Sequence, residues 1–286
     1  MSTESLYNAY RKPLFSLAYR MMGSVMDAED VVQEAFLAYD QLPDPAAIRN
    51  ERAFLYKIVT NRCLDLLRSS AHRRELYVGP WLPEPLVDPG LPDDDPSTAY
   101  LRRESISTAY LLLLQQLNAV ERAVFLLREI FDYSYDEIAD MIGKSSANCR
   151  QIFHRARKSV RFEPDQTPSN SVAEEKVKEF VQSLLQGNTG KMLELVSENV
   201  AFYSDGGGKV RAAQIPVIGS EPVVRLHLNL LKMYEGKFKY MFLTVNGLPG
   251  IRIDVGDTRF VYSFDIRDER IRTIYAVANP DKLKHV

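Results

Sequence analysis

The sequence predicts a multidomain chain: two all-α segments followed by an α+β domain. Three observations carry this. Apolar residues recur at helical spacing over residues 4–70 and again over 101–162. A proline-rich stretch with the acid run Asp93, Asp94, Asp95 separates the two, over residues 71–100. From about Val172 onward strand patterns dominate, interrupted by a helix near residues 220–235.

In the first segment Leu14, Leu17, Ala18, Met21 and Met22 make a helical stripe, and Gly23 offers a stop. Asp27 is placed to cap the next helix, which carries Val31, Val32, Ala35, Phe36 and Leu37 and ends before Pro43. A third helix is expected from about Glu51 to Arg68, with Phe54, Leu55, Ile58, Val59, Leu64 and Leu67 inward. The polar run FEPDQTPSNS (162–171) marks a second boundary. Two short helical patterns follow, SVAEEKVKEFVQSLLQG and KMLELV. RFVYSFDI (259–266) then reads as a strand, and Asn246–Gly247 as a hairpin turn.

The chain has 286 residues and a net charge of −2, so bulk charge does not drive it onto nucleic acid, although local basic faces are still open to it. Its two cysteines, Cys63 and Cys149, lie inside helical apolar patterns and read as small core residues in a reducing compartment. The first residues lack a signal-peptide apolar region, and no run reaches the roughly 18 apolar residues of a membrane span, so a cytoplasmic protein is expected. No metal or cofactor signature stands out.

The stretch YDEIADMIGKSSANCRQIFHRARKSV (135–160) reads as helix, glycine turn, helix. On the second helix Cys149, Ile152, Phe153, Ala156 and Val160 share one face, and Arg150, Gln151, His154, Arg155 and Lys158 the other. Such a helix fits the DNA major groove, where arginine bonds guanine through two parallel hydrogen bonds. Ser145 or Ser146 caps it. The same pattern fits a solvated basic face on an ordinary helical hairpin. Two further clusters have the same double reading. Asp27, Glu29, Asp30 and Glu34 concentrate in DAEDVVQE, and Asn61, Arg62, Asp65 and Arg68 fall at near-helical spacing as a nucleic-acid face or a salt-bridged surface.

Together these blocks resemble the extracytoplasmic-function (ECF) bacterial sigma factors. Residues 4–70, with DAEDVVQEAFL and then NRCLDLLRSS, look like their region two, and residues 105–160, with LNAVERAVFLLREIFDYSYDEIADMIG, like region four. WLPEP (81–85), DGGGK (205–209) and NPDKL (279–283) resemble the subgroup with a fused C-terminal SnoaL-like domain, a small cone of curved sheet closed by helices. The resemblance divides the chain into region two (1–70), a linker holding WLPEP (71–104), region four (105–162) and a SnoaL-like domain (172–286). It implies that core RNA polymerase and promoter DNA are the partners. Asp30, Gln33 and Glu34 would dock on the polymerase. Asn61, Arg62, Asp65 and Arg68 would sit at the −10 element, and Arg150, Gln151, His154 and Arg155, with Lys158 on the same face, at the −35 element. It implies that the fused domain takes the place of a separate anti-sigma protein, and that this chain is not an enzyme.

Trp81 is the only tryptophan, and it lies in a linker. It covers local apolar surface such as Leu76 or Tyr77, or else the linker docks on the C-terminal domain. In the second reading Trp81, Leu82, Pro83, Glu84 and Pro85 are one half of an internal switch. Asp205, Gly206, Gly207, Gly208 and Lys209 would then oppose them, with Asn279, Pro280, Asp281, Lys282 and Leu283. The triple glycine admits close backbone approach, with Asp205 and Lys209 as polar anchors. It lacks the helix start and GK[ST] ending of a phosphate loop. SnoaL-like folds include enzymes, for which Asp205 and His227 are the candidate bases, and the cone leaves room for a small-molecule ligand.

Overall fold

The computed structural model describes residues 3–88, 106–160 and 169–286. The acid run Asp93–Asp95, the rest of the expected linker to residue 104, and most of the polar break at 162–171 lie outside the described residues. The described chain forms two compact units, residues 3–75 with 110–160, and residues 76–88, 106–109 and 169–286. Helices and strands are numbered below in chain order.

The first unit is all helical: α1 (Thr3–Met22), α2 (Val25–Asp40), α3 (Glu51–Glu75), α4 (Thr108–Gln115, from Tyr110 on), α5 (Ala119–Glu129), α6 (Tyr135–Ile142) and α7 (Ser146–Ser159). α1 stops where Gly23 takes a left-handed φ of 69° and its N–H returns to Tyr19 O at 2.7 Å. Ser24, not Asp27, caps α2: the Asp27 N–H donates to Ser24 Oγ at 3.1 Å, which leaves Asp27 in the first turn, where its charge suits the helix dipole. Val25, Ala28, Val31, Val32, Ala35, Phe36 and Tyr39 form its buried stripe. α3 runs to Glu75, past the expected end at Arg68 and into the expected linker, because no glycine or proline interrupts it until Gly79. Leu55, Tyr56, Val59, Cys63 and Leu64 are among its buried apolar residues, whereas Phe54, Ile58 and Leu67 are half-buried.

α5 and α6 both open with a capping box, Asn118 with Glu121 and Ser134 with Glu137. Buried Arg122 ties this half to the first, donating to Met21 O and, at 3.2 Å, to Leu117 O. Burial pushes the Cys63 thiol pKa far up, in keeping with an inert core residue.

The second unit is α+β. Its helices are α8 (Asn170–Leu185), α9 (Thr189–Leu195) and α10 (Ser220–Met233). Its strands are β1 (Val87–Asp88), β2 (Val196–Asp205), β3 (Val217–Ile218), β4 (Phe238–Val245), β5 (Leu248–Val255), β6 (Thr258–Arg267) and β7 (Arg270–Val277). They make one sheet in the order β1-β4-β5-β6-β7-β2-β3, antiparallel except for the parallel pair β2–β7. Asn246 and Gly247 both have positive φ, 56° and 78°, and turn β4 into β5 as the dipeptide predicts. Phe180, Met192, Phe202, Val223, Val224, Phe264 and Ile274 are among the side chains of the core between sheet and helices. The first strand comes from the expected linker: Val87 pairs with Val245, and Asp88 with Thr244.

Candidate promoter-binding and regulatory sites

Ser145 caps α7, its hydroxyl accepting from the Asn148 N–H at 3.2 Å, and Gly143 supplies the left-handed turn before it. Cys149, Ile152, Phe153 and Ala156 are buried under the helix. That packing leaves Arg150, Gln151, His154, Arg155 and Lys158 exposed along one side. The Arg150 guanidinium stands 5.3 Å from the Tyr135 ring centroid, which limits its swing. Four donors or more on a capped helix can reach both base edges and phosphates in a groove.

Asp30, Gln33 and Glu34 lie on the exposed side of α2. Met26 (41% exposed) and Leu37 (59%) stand on the same face at positions i−4 and i+7 from Asp30, and sequence reasoning missed them. Leu37 counts as core in the helical periodicity, yet the fold turns it to solvent, as only an exposure value reveals.

The third cluster is engaged within the protein. Asn61 Nδ2 donates to Met141 O of α6 at 3.0 Å. Arg62 is paired with Glu34 through two contacts, at 2.6 and 3.1 Å, so a residue expected at DNA and one expected at polymerase hold each other. Arg68 and Asp65 pair at 3.3 Å. Both ion pairs are exposed, and such pairs contribute about 0–1 kcal/mol, so they open readily.

The linker motif is brought to both other motifs. Asp205, fully buried at the end of β2, accepts from Tyr77 Oη (2.5 Å), the Leu82 N–H (2.8 Å), Lys282 Nζ (2.8 Å) and the Gly207 N–H (3.1 Å). Lys282 Nζ also donates to Leu82 O at 2.5 Å. It lies 4.0 Å from the Trp81 ring centroid and 4.9 Å from that of Tyr77, so the indole covers an ammonium. Asn279 Nδ2 donates to Tyr77 Oη at 2.8 Å, and the N–H groups of Ala278 and Asn279 both donate to Asp205 O. Burial first, and then the bond to Asp205, raise the Tyr77 pKa, so its hydroxyl stays a donor.

Further along, Leu86 exchanges bonds with Asn246, N–H to Oδ1 at 3.1 Å and O from N–H at 2.8 Å. His285 Nε2 lies 2.8 Å from Pro85 O. Pro83, Glu84 and Pro85 are buried, as is Leu283, while Pro280 opens the short 3-10 turn Pro280–Lys282 that aims Lys282 inward. Gly207 and Gly208 have φ of 57° and 72° and lie against Asn279 and Val78, places where a Cβ would be both strained and crowded. Gly206 packs on Val210 and Ala212. Lys209 pairs with Asp281 at 2.5 Å on the surface, and that bond lowers the Asp281 pKa. Tyr77, Leu86, Asn246 and His285 extend the dock beyond the three pentapeptides; the sequence marks Asn246 only as a turn and Tyr77 only as apolar surface near Trp81.

Comparison with known proteins identifies the two helical regions and the family. Residues 6–73 match the family model "Sigma-70 region 2", and residues 107–160 match "Sigma-70, region 4". The ECF RNA polymerase sigma factor SigJ of Mycobacterium tuberculosis (strain ATCC 25618 / H37Rv) is 37% identical over 97% of this chain and 92% of its own length. The probable ECF RNA polymerase sigma factor SigI of the same organism is 32% identical over 76% of this chain and 73% of its own. A crystal structure of the Mycobacterium tuberculosis SigJ superposes with a TM-score of 0.81 and 32% identity, covering 98% of each chain. A chain with both sigma-70 regions in this order, and with this identity over nearly its whole length, belongs to the family of ECF RNA polymerase sigma factors.

Proposed function

We propose that this chain binds core RNA polymerase and directs it to promoters, as sigma factors do, and that its own C-terminal domain sets its output through the docked linker. The observation that carries the second part is the Asp205 carboxylate, which holds the linker by Tyr77 and Leu82 and the C-terminal tail by Lys282 at one buried point. A dock made of a few charge-assisted bonds biases a two-state arrangement without fixing it.

Arg150, Gln151, His154, Arg155 and Lys158 are assigned to the −35 element, and Asn61, Arg62, Asp65 and Arg68 to the −10 element. Asp30, Gln33 and Glu34 are assigned to polymerase. In this arrangement Asn61 must leave Met141 O, and Arg62 must leave Glu34, before either meets a base. Of the two candidate bases, Asp205 has its carboxylate taken up by four donors and is not among the residues lining the cone's cavity, whereas His227 lines it.

Run-off transcription with purified core polymerase tests the proposal on one promoter. Trp81→Ala, removal of residues 279–286, and the two together should each change output, with a non-additive double variant. Strictly additive effects, or none in folded protein, would reduce the dock to local packing. No transcript from any promoter would remove the sigma assignment itself.

A further inference from the structure

Arg150 and Arg155 are both exposed on α7, but they are held differently. The Arg150 guanidinium lies over the ring of Tyr135, 5.3 Å from its centroid. Among the described residues Arg155 has neither a ring nor a carboxylate against its guanidinium. A long exposed side chain loses rotamer freedom when it is fixed on a base, so one that is already held binds at less cost.

The ring that holds Arg150 is itself fixed. Tyr135 is the first residue of α6, and the capping box of Ser134 and Glu137 sets the backbone there. The ring is half-buried and meets the buried Phe153 edge-on, with centroids 6.0 Å apart. Phe153 in turn stacks on Phe125 of α5 at 6.2 Å. A second guanidinium, that of Arg128, lies 5.0 Å from the Tyr135 centroid and is tied down, its Nη1 donating to Tyr133 O at 3.0 Å.

The kind of hold matters. Arg62 is held by the Glu34 carboxylate, which takes up its N–H groups, so that pair must break before Arg62 can meet a base. A ring face attracts the guanidinium through its quadrupole and takes up no N–H, so the fork that matches guanine O6 and N7 stays available.

We infer that Tyr135 is a positioning residue for promoter reading: its ring presents the Arg150 guanidinium to one base pair of the −35 element and sharpens the preference for guanine there. This role rests on Arg150 reading a base, as proposed above. It belongs to the ring and not to the hydroxyl, so phenylalanine should serve and leucine should not.

The test is run-off transcription by the full chain with core polymerase, from a promoter library with a randomised −35 element, read as base preference at each position. Arg150→Ala and Arg155→Ala mark the positions that each arginine reads. Tyr135→Leu should lower the guanine preference at the Arg150 position about two- to fivefold, the worth of an exposed cation–π contact. It should leave the Arg155 position unchanged and add nothing to Arg150→Ala. Tyr135→Phe should keep the parent preference. An unchanged preference in Tyr135→Leu would overturn the inference. So would an equal loss at every position, which marks a merely structural residue, or an equal loss in Tyr135→Phe. If Arg150→Ala itself alters no preference, the assignment of Arg150 fails and the role of Tyr135 with it. A measurement on the parent covers a Tyr135→Leu protein that does not fold: by NMR relaxation the Nε–H of Arg150 should be more ordered than that of Arg155, and equal disorder would overturn the inference.

Discussion

Asp205→Asn should undock the linker while the cone stays folded. The pair Asp205–Lys282 is nearly dry, with side chains 0% and 8% exposed. Removing one member of such a pair costs about 3–5 kcal/mol. The asparagine amide keeps one acceptor oxygen, so the lower end, about 3 kcal/mol, is the better expectation. Two of the four donors to Asp205, Tyr77 Oη and the Leu82 N–H, belong to the linker, and so does the Leu82 carbonyl that binds Lys282. Most of the loss therefore falls on docking, and about 3 kcal/mol shifts that equilibrium roughly 100-fold. Amide hydrogen exchange reads it directly. The Leu82 and Asn246 amides should exchange about 100-fold faster in the variant, while amides of β6 and β7 keep their protection. Lys282→Met should do less, because Asp205 keeps three donors. Unchanged protection at Leu82 would refute the reasoning. Equal loss of protection throughout the sheet would show that the pair supports the cone rather than the dock.

Three further outcomes are expected. Arg150→Ala or Arg155→Ala should lower promoter discrimination by about 1–3 kcal/mol if each makes a two-bond contact to guanine, measurable by binding to matched and mismatched −35 duplexes. Asp30→Lys with Leu37→Ser should weaken capture of core polymerase in a pull-down, more so at low salt, while circular dichroism stays that of the parent. The His227 pKa, depressed by burial, stabilises the fold fully above its unfolded value of about 6.5, a contribution lost as pH falls below that value. The melting temperature should therefore drop between pH 7.5 and 5.5, and His227→Leu should flatten that drop.

Much of the helical half was legible because its signals are local. Gly23 and Gly143 end helices by their own φ, and the face of α7 follows from spacing alone. The extent of α3 was not, since a linker composition downstream outweighed a run without helix breakers. Residue type does not separate Ser from Asp as a cap, and the cap goes to the residue with extended backbone, here Ser24 with φ −123° and ψ 126°. The dock was legible only as three unusual pentapeptides. Its chemistry joins Tyr77 to Asp205 across 128 residues and Leu82 to Lys282 across 200, and no periodicity reaches that far. β1 was missed because a two-residue strand has no pattern of its own and exists only by pairing with β4.

The end of β2 has a consequence that neither site has alone. Ser204 lines the cavity, and the next residue, Asp205, holds the linker. Adjacent residues of a strand project to opposite faces, so one peptide unit separates the two sites. Linkage between them is reciprocal by thermodynamic necessity. By whatever factor an occupant of the cone tightens or loosens the linker, the docked linker tightens or loosens that occupant equally. The affinity of a small molecule for this protein would then differ between the free chain and the chain engaged on polymerase, and that difference alone would measure how strongly transcription is coupled to the contents of the cone.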